Sequence, residues 1–176
     1  MEKRPLGKTG LRVSEIALGC EGFVGKTEAE CRALFDRAFA AGVNCMDLFS
    51  PDPALRSAIG ALLRGRREQF VLQAHLCTIW KDGQYEVTRR EDEVRASFCD
   101  LLERLGTDYL DIGMIHYVDS VETWKKIAEG PVLRFAREER EKGHIRCLGL
   151  SSHNPEAALA AVESGAIDVL MFSVNP

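Results

Sequence analysis

Three residues of this 176-residue chain invite chemistry by type and position: Asp47, His75 and His116. Each closes a short apolar run. Asp47 ends Val43-Asn44-Cys45-Met46, His75 ends Phe70-Val71-Leu72-Gln73-Ala74, and His116 ends Tyr109 to Ile115. Runs of that length read as buried strands. A polar residue where such a strand meets its loop is where parallel α/β proteins place chemistry. A carboxylate beside two imidazoles can move protons near neutral pH. The same three groups could hold a metal, which is the weaker reading. Other strand ends add Gly19-Cys20-Glu21, Asp52, Asp119, Ser151-Ser152-His153-Asn154 and Asn175. A lone strand-end histidine is more often a hydrogen-bonded filler, but two beside an acid make a candidate site.

The elements that must position these groups follow from periodicity. Residues 2–14 read as a hairpin turning at Gly7-Lys8-Thr9-Gly10. Ile16 to Cys20 is a short buried run. Thr27 and Glu30 form a capping box for a helix with apolar positions 31, 34, 35, 38 and 39, stopped by Gly42. The strand 43–47 is followed by a helix opening at Pro53. The strand 70–75 is followed by a loop from Cys77 to Thr88, then a helix over 89–105. The strand 109–116 precedes two helices parted by Gly130-Pro131. The strand 145–150 precedes a helix from Pro155, and 168–174 is a sixth strand. Strands and helices alternating this regularly imply a parallel sheet with right-handed crossovers. A doubly wound sheet with a dinucleotide would call for G-x-G-x-x-G after the first strand, whereas Gly19, Gly22 and Gly25 recur every third residue. Polar residues at nearly every strand end favour a barrel, where those ends share one face.

Composition bounds the rest. Hydrophobic residues make up 45% and charged residues 28%, as in an ordinary globular domain. The net charge of −4 gives no broad basic surface, so nucleic acid is not an expected partner. No apolar run approaches the ~20 residues of a membrane span, and the start lacks a signal-peptide core, so a cytoplasmic protein is expected. The six cysteines lack metal-ligand spacing and read as small, reduced core residues.

The motifs RPLGKTGLRVSEIALGC, GVNCMDLF, RREQFVLQAHL, RLGTDYLDIGMIHYVD and GHIRCLGLSSHN together resemble the aldo-keto reductase family. The resemblance covers the whole chain. It implies a (β/α)₈ TIM barrel with an N-terminal hairpin across its bottom, and NADPH-dependent reduction of a small-molecule carbonyl or oxidation of an alcohol. NADH is the other cofactor it allows. It further implies that Asp47 and His116 are catalytic, and that Gly19, Cys20, Ser151, Ser152 and Met171 stand at cofactor-binding positions.

The chain departs from that family at two catalytic positions. The family's Tyr falls at Asp52 and its Lys at His75. At Met171 the family has Gln, and at Ser152 it has Asn. The proton donor is therefore open. Asp52 would serve if burial beside Asp47 raised its pKa. His75 or His116 is near neutral already, and Tyr85 or Tyr117 could reach in from loops on the same face. The favoured set has His116 as carbonyl-orienting donor and His75 as a second acid/base. Against this, Asp52 also reads as a plain turn residue in Ser50-Pro51-Asp52-Pro53. The alternative function is a non-catalytic cofactor-binding or regulatory barrel, or an inactive fragment.

A subgroup resembles this chain more closely, in Gly19 to Phe23, in His75, and in Trp80 to Tyr85. Its members often carry a ferredoxin-like 4Fe–4S segment after the barrel, so such a cluster is expected only beyond residue 176. A complete barrel takes about 250 residues. Residues 1–176 are thus expected to be one incomplete barrel domain of about six strands, ending before strands seven and eight. Weak cofactor binding and self-association through unpaired sheet edges are expected to follow.

Overall fold

The computed structural model describes residues 1–174; Asn175, an expected strand-end site residue, and Pro176 lie outside them. The chain opens with an antiparallel hairpin, β1 (Lys3–Pro5) and β2 (Arg12–Ser14), in register Lys3 to Ser14. Next come β3 (Leu18–Gly19), a 3-10 turn (Cys20–Phe23) and α1 (Glu28–Ala40). The Thr27–Glu30 capping box is formed on both sides. Then follow β4 (Cys45–Leu48), α2 (Pro53–Leu63), β5 (Val71–Leu76), β6 (Thr78–Lys81), β7 (Gln84–Val87) and α3 (Glu91–Leu105). The remainder is β8 (Leu110–Ile115), α4 (Val121–Ala128), α5 (Pro131–Glu141), β9 (Ile145–Ser152), α6 (Pro155–Glu163) and β10 (Val169–Phe172).

Six strands form one parallel sheet in the order β3-β4-β5-β8-β9-β10. This order follows the chain without a reversal. A doubly wound sheet reverses at a switch point, whereas a barrel wall does not. The chain is therefore an incomplete TIM barrel, a curled six-stranded section of wall with its helices outside.

Side-chain alternation sorts each strand into two faces. Outward residues such as Met46, Leu48, Leu72, Ala74, Leu148 and Leu150 join Ile59, Leu63, Phe98, Leu101 and Phe135 from the helices in the main core. Inward residues Cys45, Val71, Ile112, Met114 and Cys147 form a second apolar layer. Leu6, Leu11 and Val13 of the β1–β2 hairpin cover that layer, which keeps water from the end opposite the site. Gly149 belongs to it by lacking a side chain: a Cβ there would stand 2.0 Å from Met114 Sδ.

Two expectations need correction. The Cys77–Thr88 loop is largely an antiparallel hairpin, β6 with β7, turning at Asp82-Gly83 with φ of 51° and 81°. Asp-Gly between alternating segments is a two-residue hairpin turn with both central residues left-handed. The Ile16–Cys20 run is strand only at Leu18–Gly19, and Ile16 is 62% exposed. It leads into an edge strand, so it lacks a second neighbour to bury it. No helix among the described residues is long and apolar enough to cross a membrane.

Candidate active site

The parallel registers bring the strand-end residues together. Gly19 lies beside Asp47, Asp47 beside Gln73, His75 beside Met114, and Met171 beside Ser151. Inward positions at the C-terminal ends of β4, β5 and β8 therefore place Asp47, His75 and His116 in one hydrogen-bonded line. His75 Nε2 lies 3.1 Å from Asp47 Oδ1. His75 Nδ1 lies 2.7 Å from His116 Nδ1. His116 Nε2 then meets the Tyr85 hydroxyl at 2.6 Å. Tyr85 comes from β7, so the hairpin that the sequence presented as a loop supplies the outer end of the line.

Three further residues hold it. Gln73 donates to Asp47 Oδ1 at 2.7 Å. Phe49 stacks on His116 at 5.9 Å and meets His75 and Tyr85 edge-on, fixing the ring planes. Arg89 donates to the carbonyls of His116 and Tyr117 at 2.7 and 3.0 Å, tying the hairpin base to the turn after β8. That turn is strained, since Tyr117 has φ of +56°. Sequence reasoning had missed all three as site residues. Only Gln73 carried a signal, because it shares the inward face of its strand with His75.

Charge in this line is graded. Burial opposes ionisation of Asp47, but the bonds from His75 and Gln73 outweigh it and hold the carboxyl below its usual range. His116 goes the other way. Burial, then the neighbouring His75 and the Arg89 charge, push it from 6.5 down to about 3. It is a neutral imidazole near neutral pH. Burial also raises the Tyr85 phenol, with Arg89 opposing, so Tyr85 keeps its proton at rest.

The line borders a cleft of about 460 Å³, within the usual range of small-molecule sites. Ser151, Ser152, His153, Tyr117, Met171 and Glu21 also line it. Ser151 accepts the Tyr117 N–H at 3.0 Å, and its hydroxyl lies 3.4 Å from His116 Nδ1. Ser152 donates to the Val118 carbonyl at 2.7 Å, so part of its hydrogen-bonding capacity is spent inside the fold. The Met171 sulfur sits 3.7 Å from Gln73 Nε2.

Three expected placements do not hold. Asp52 does not line the cleft. Its carboxylate accepts the Ala54 and Leu55 N–H groups and caps α2, ahead of Pro53 at the first turn. Cys20 is fully buried in the outer core, where burial and then Asp47 push its thiol well up; neighbouring Glu21 reaches the cleft instead. His116 lines the cleft, but both its ring nitrogens are bonded within the line, Nδ1 to His75 and Nε2 to Tyr85, so neither is turned toward a ligand carbonyl in this arrangement. The two histidines also point Nδ1 at Nδ1, closer than the roughly 3.3 Å separating two nitrogens bound to one tetrahedral zinc at ~2.0 Å each. Among the described residues no group of three or more His, Cys, Asp or Glu has metal-binding geometry.

A section of parallel barrel wall, with an acid–imidazole line and a cleft at the strand C-terminal ends, defines the class as a TIM-barrel protein. The family follows from comparison. The model of the Aldo/keto reductase family matches residues 15–175, and the chain belongs to that family. It is similar to the uncharacterized oxidoreductase YqkF of Bacillus subtilis, at 26% identity over 99% of the chain and 56% of the relative. It is similar also to L-glyceraldehyde 3-phosphate reductase of Escherichia coli K12, at 28% identity over 93% of the chain and 49% of the relative. A solved structure of a putative aldo-keto reductase from Pseudomonas aeruginosa superposes with a TM-score of 0.87 at 29% identity, over 98% of this chain and 67% of that one. The chain thus spans about half the length of the curated relatives it matches.

Proposed function

We propose that residues 1–176 form one barrel-type domain carrying the acid–base half of a nicotinamide-dependent oxidoreductase. Its reaction is reduction of a carbonyl, or oxidation of the corresponding alcohol, on a small molecule. The observation that carries this reading is the Asp47–His75–His116 line at the strand C-terminal ends of an aldo/keto reductase chain.

The cleft suits the nicotinamide end of NADPH, or of NADH. Ser151 offers a hydroxyl on one side, Ser152 and the Met171 sulfur line the wall beside it, and Tyr117 provides an exposed ring. No Lys or Arg lines the cleft among the described residues, so these residues fit the ring end of the cofactor and not its phosphates. Such a cofactor supplies hydride to a carbonyl carbon or accepts it from an alcohol. The chain's own work is to hold the reacting oxygen against an acid, exclude water from it with Phe49 and Met171, and keep the Asp47 charge below the imidazoles.

A non-catalytic barrel is the second reading. It is favoured by one observation, that the position five residues after Asp47 is spent on a helix cap. Oxidation of NADPH and NADH by the intact protein with a panel of aldehydes, ketones and sugars separates the two. Turnover that drops in both Asp47→Asn and His116→Ala supports the oxidoreductase. Turnover indifferent to both changes removes this site, and no turnover with any carbonyl favours the non-catalytic barrel.

A further inference from the structure

We infer that Tyr85, carried by the β6–β7 hairpin, is the group that passes a proton to and from the ligand oxygen, and that His116 and His75 form the relay behind it. The inference rests on the proposed oxidoreductase reading and adds the donor that reading lacks.

The hydrogen-bond inventory supports this assignment. His75 uses both ring nitrogens, on Asp47 and on His116, and His116 uses both, on His75 and on Tyr85. The two histidines are also mostly buried. Tyr85 is the most exposed member of the line, at 37%, against 17% for the Asp47 side chain, whose carboxylate is held ionised and has no proton to give; a hydroxyl oxygen both donates and accepts. Tyr117 also lines the cleft, but its ring lies on His153 at 5.2 Å and makes no hydrogen bond to the line.

Two proton arrangements satisfy every member. In the first, His75 carries protons on both nitrogens and faces the Asp47 carboxylate. It donates through Nδ1 to His116, His116 donates through Nε2 to the Tyr85 oxygen, and the phenolic proton is free for a ligand. In the second, His75 has lost its Nδ1 proton. His116 now donates through Nδ1 to His75, and Tyr85 donates to His116 Nε2. His116 is neutral in both and changes only its tautomer, consistent with its surroundings, which disfavour an imidazolium.

Reduction converts the first arrangement into the second. A bound dihydronicotinamide would supply hydride to the carbonyl carbon, and the C=O π pair would then leave negative charge on the oxygen. The Tyr85 O–H bond breaks and an O–H bond forms on that oxygen. The His116 Nε2 proton passes to Tyr85, and the His75 Nδ1 proton passes to His116 Nδ1. One proton leaves His75 and one alcohol is formed, and the charges balance. Alcohol oxidation runs the same shifts backwards. The groups facing the pair are Asp47 from β4, Tyr85 from β7, Arg89 beyond it, and Tyr117 and His153 from the loops after β8 and β9.

The test has two arms on the intact protein. Two-bond ¹⁵N–¹H spectra of ¹⁵N-histidine-labelled protein should show His116 as the Nε2–H tautomer at low pH. At high pH it should be the Nδ1–H tautomer, changing in step with loss of the His75 proton. In turnover, Tyr85→Phe should lower carbonyl reduction about 100-fold or more with little change in cofactor affinity by fluorescence titration. A His116 tautomer that is constant across pH overturns the relay, and reduction unchanged in Tyr85→Phe overturns the donor. A tautomer switch in a protein that reduces no carbonyl supports the relay and sinks the oxidoreductase reading instead.

Discussion

His75 and His116 meet Nδ1 to Nδ1 at 2.7 Å, so one ring must carry a proton there and the other must not. Neighbouring parallel strands impose this meeting. His75 sits opposite Met114 in the register, and His116 follows two residues later on the same inward face. A lysine at the His75 position would present only donors. An imidazole presents a donor or an acceptor, and the pair can reverse its polarity.

The price of holding His116 neutral should appear as acid sensitivity. Its folded pKa, about 3, lies below its ordinary 6.5. Between those values the unfolded chain binds more protons, so stability is fully present above 6.5 and is lost as pH falls toward 3. Part of the effect is screened by solvent at the cleft. A loss on the order of 1–2 kcal/mol is expected between pH 7 and 4.5. In urea unfolding, His116→Phe should lose less stability over that interval than the parent. Equal losses would show that another group sets the acid limb.

Asp52 gives a contrasting expectation. As the cap of α2 it should be replaceable by Asn at little cost, while Asp52→Ala should cost about 1 kcal/mol in urea unfolding. Neither change should move the pH dependence of turnover. A moved pH profile in Asp52→Asn would restore Asp52 as an acid at the site.

The contrast between these residues shows what was legible in the sequence. Strand and helix order, the hairpin, the Thr27 cap and the inward placement of Asp47 and His75 all follow from local pattern, because period-2 alternation and capping chemistry act over a few residues. Tyr85 does not follow in that way. Its role depends on a hairpin folding back over a strand end and on a His116 nitrogen left open by His75, two long-range facts. The Asp82-Gly83 turn is itself a hairpin signal in the sequence. Asp52 could be read both ways from sequence, since a residue before Pro53 serves equally as a cap or a loop acid. The place of Cys20 in its motif points to the cleft, but the 3-10 turn after β3 brings Glu21 to the cleft in its stead.

At the far end of the barrel, Asp111 should matter for stability and not for the site. It is 2% exposed and accepts from Arg67, Arg146 and the Leu72 N–H at 2.8, 2.9 and 2.9 Å. The two guanidiniums also cover the Tyr109 ring at 4.2 and 3.9 Å. Removing the carboxylate leaves Arg67 charged, mostly buried and short of its partner. Asp111→Ala should therefore cost roughly 3–5 kcal/mol. Histidine spectra of the folded fraction should match the parent, and a change there would mean that the bottom of the barrel is coupled to the relay.

Asp47→Asn tests the relay through its countercharge. The carboxylate lies 3.1 Å from His75 Nε2, and the surroundings keep it ionised. In the arrangement that reduces, it faces an imidazolium; in the arrangement that oxidises, it faces a neutral ring. Removing the charge therefore weakens only the first. The arrangement with the extra proton on the pair should give way to the other at lower pH than in the parent. Reduction needs the protonated pair, so its falling limb should move to lower pH. Oxidation needs the pair empty, so its rising limb should move the same way. Rates measured in both directions from pH 5 to 9 check this. A general loss of activity with both limbs in place would mean that Asp47 only positions His75. A shift of both limbs together would mean that its charge sets the proton's place in the line.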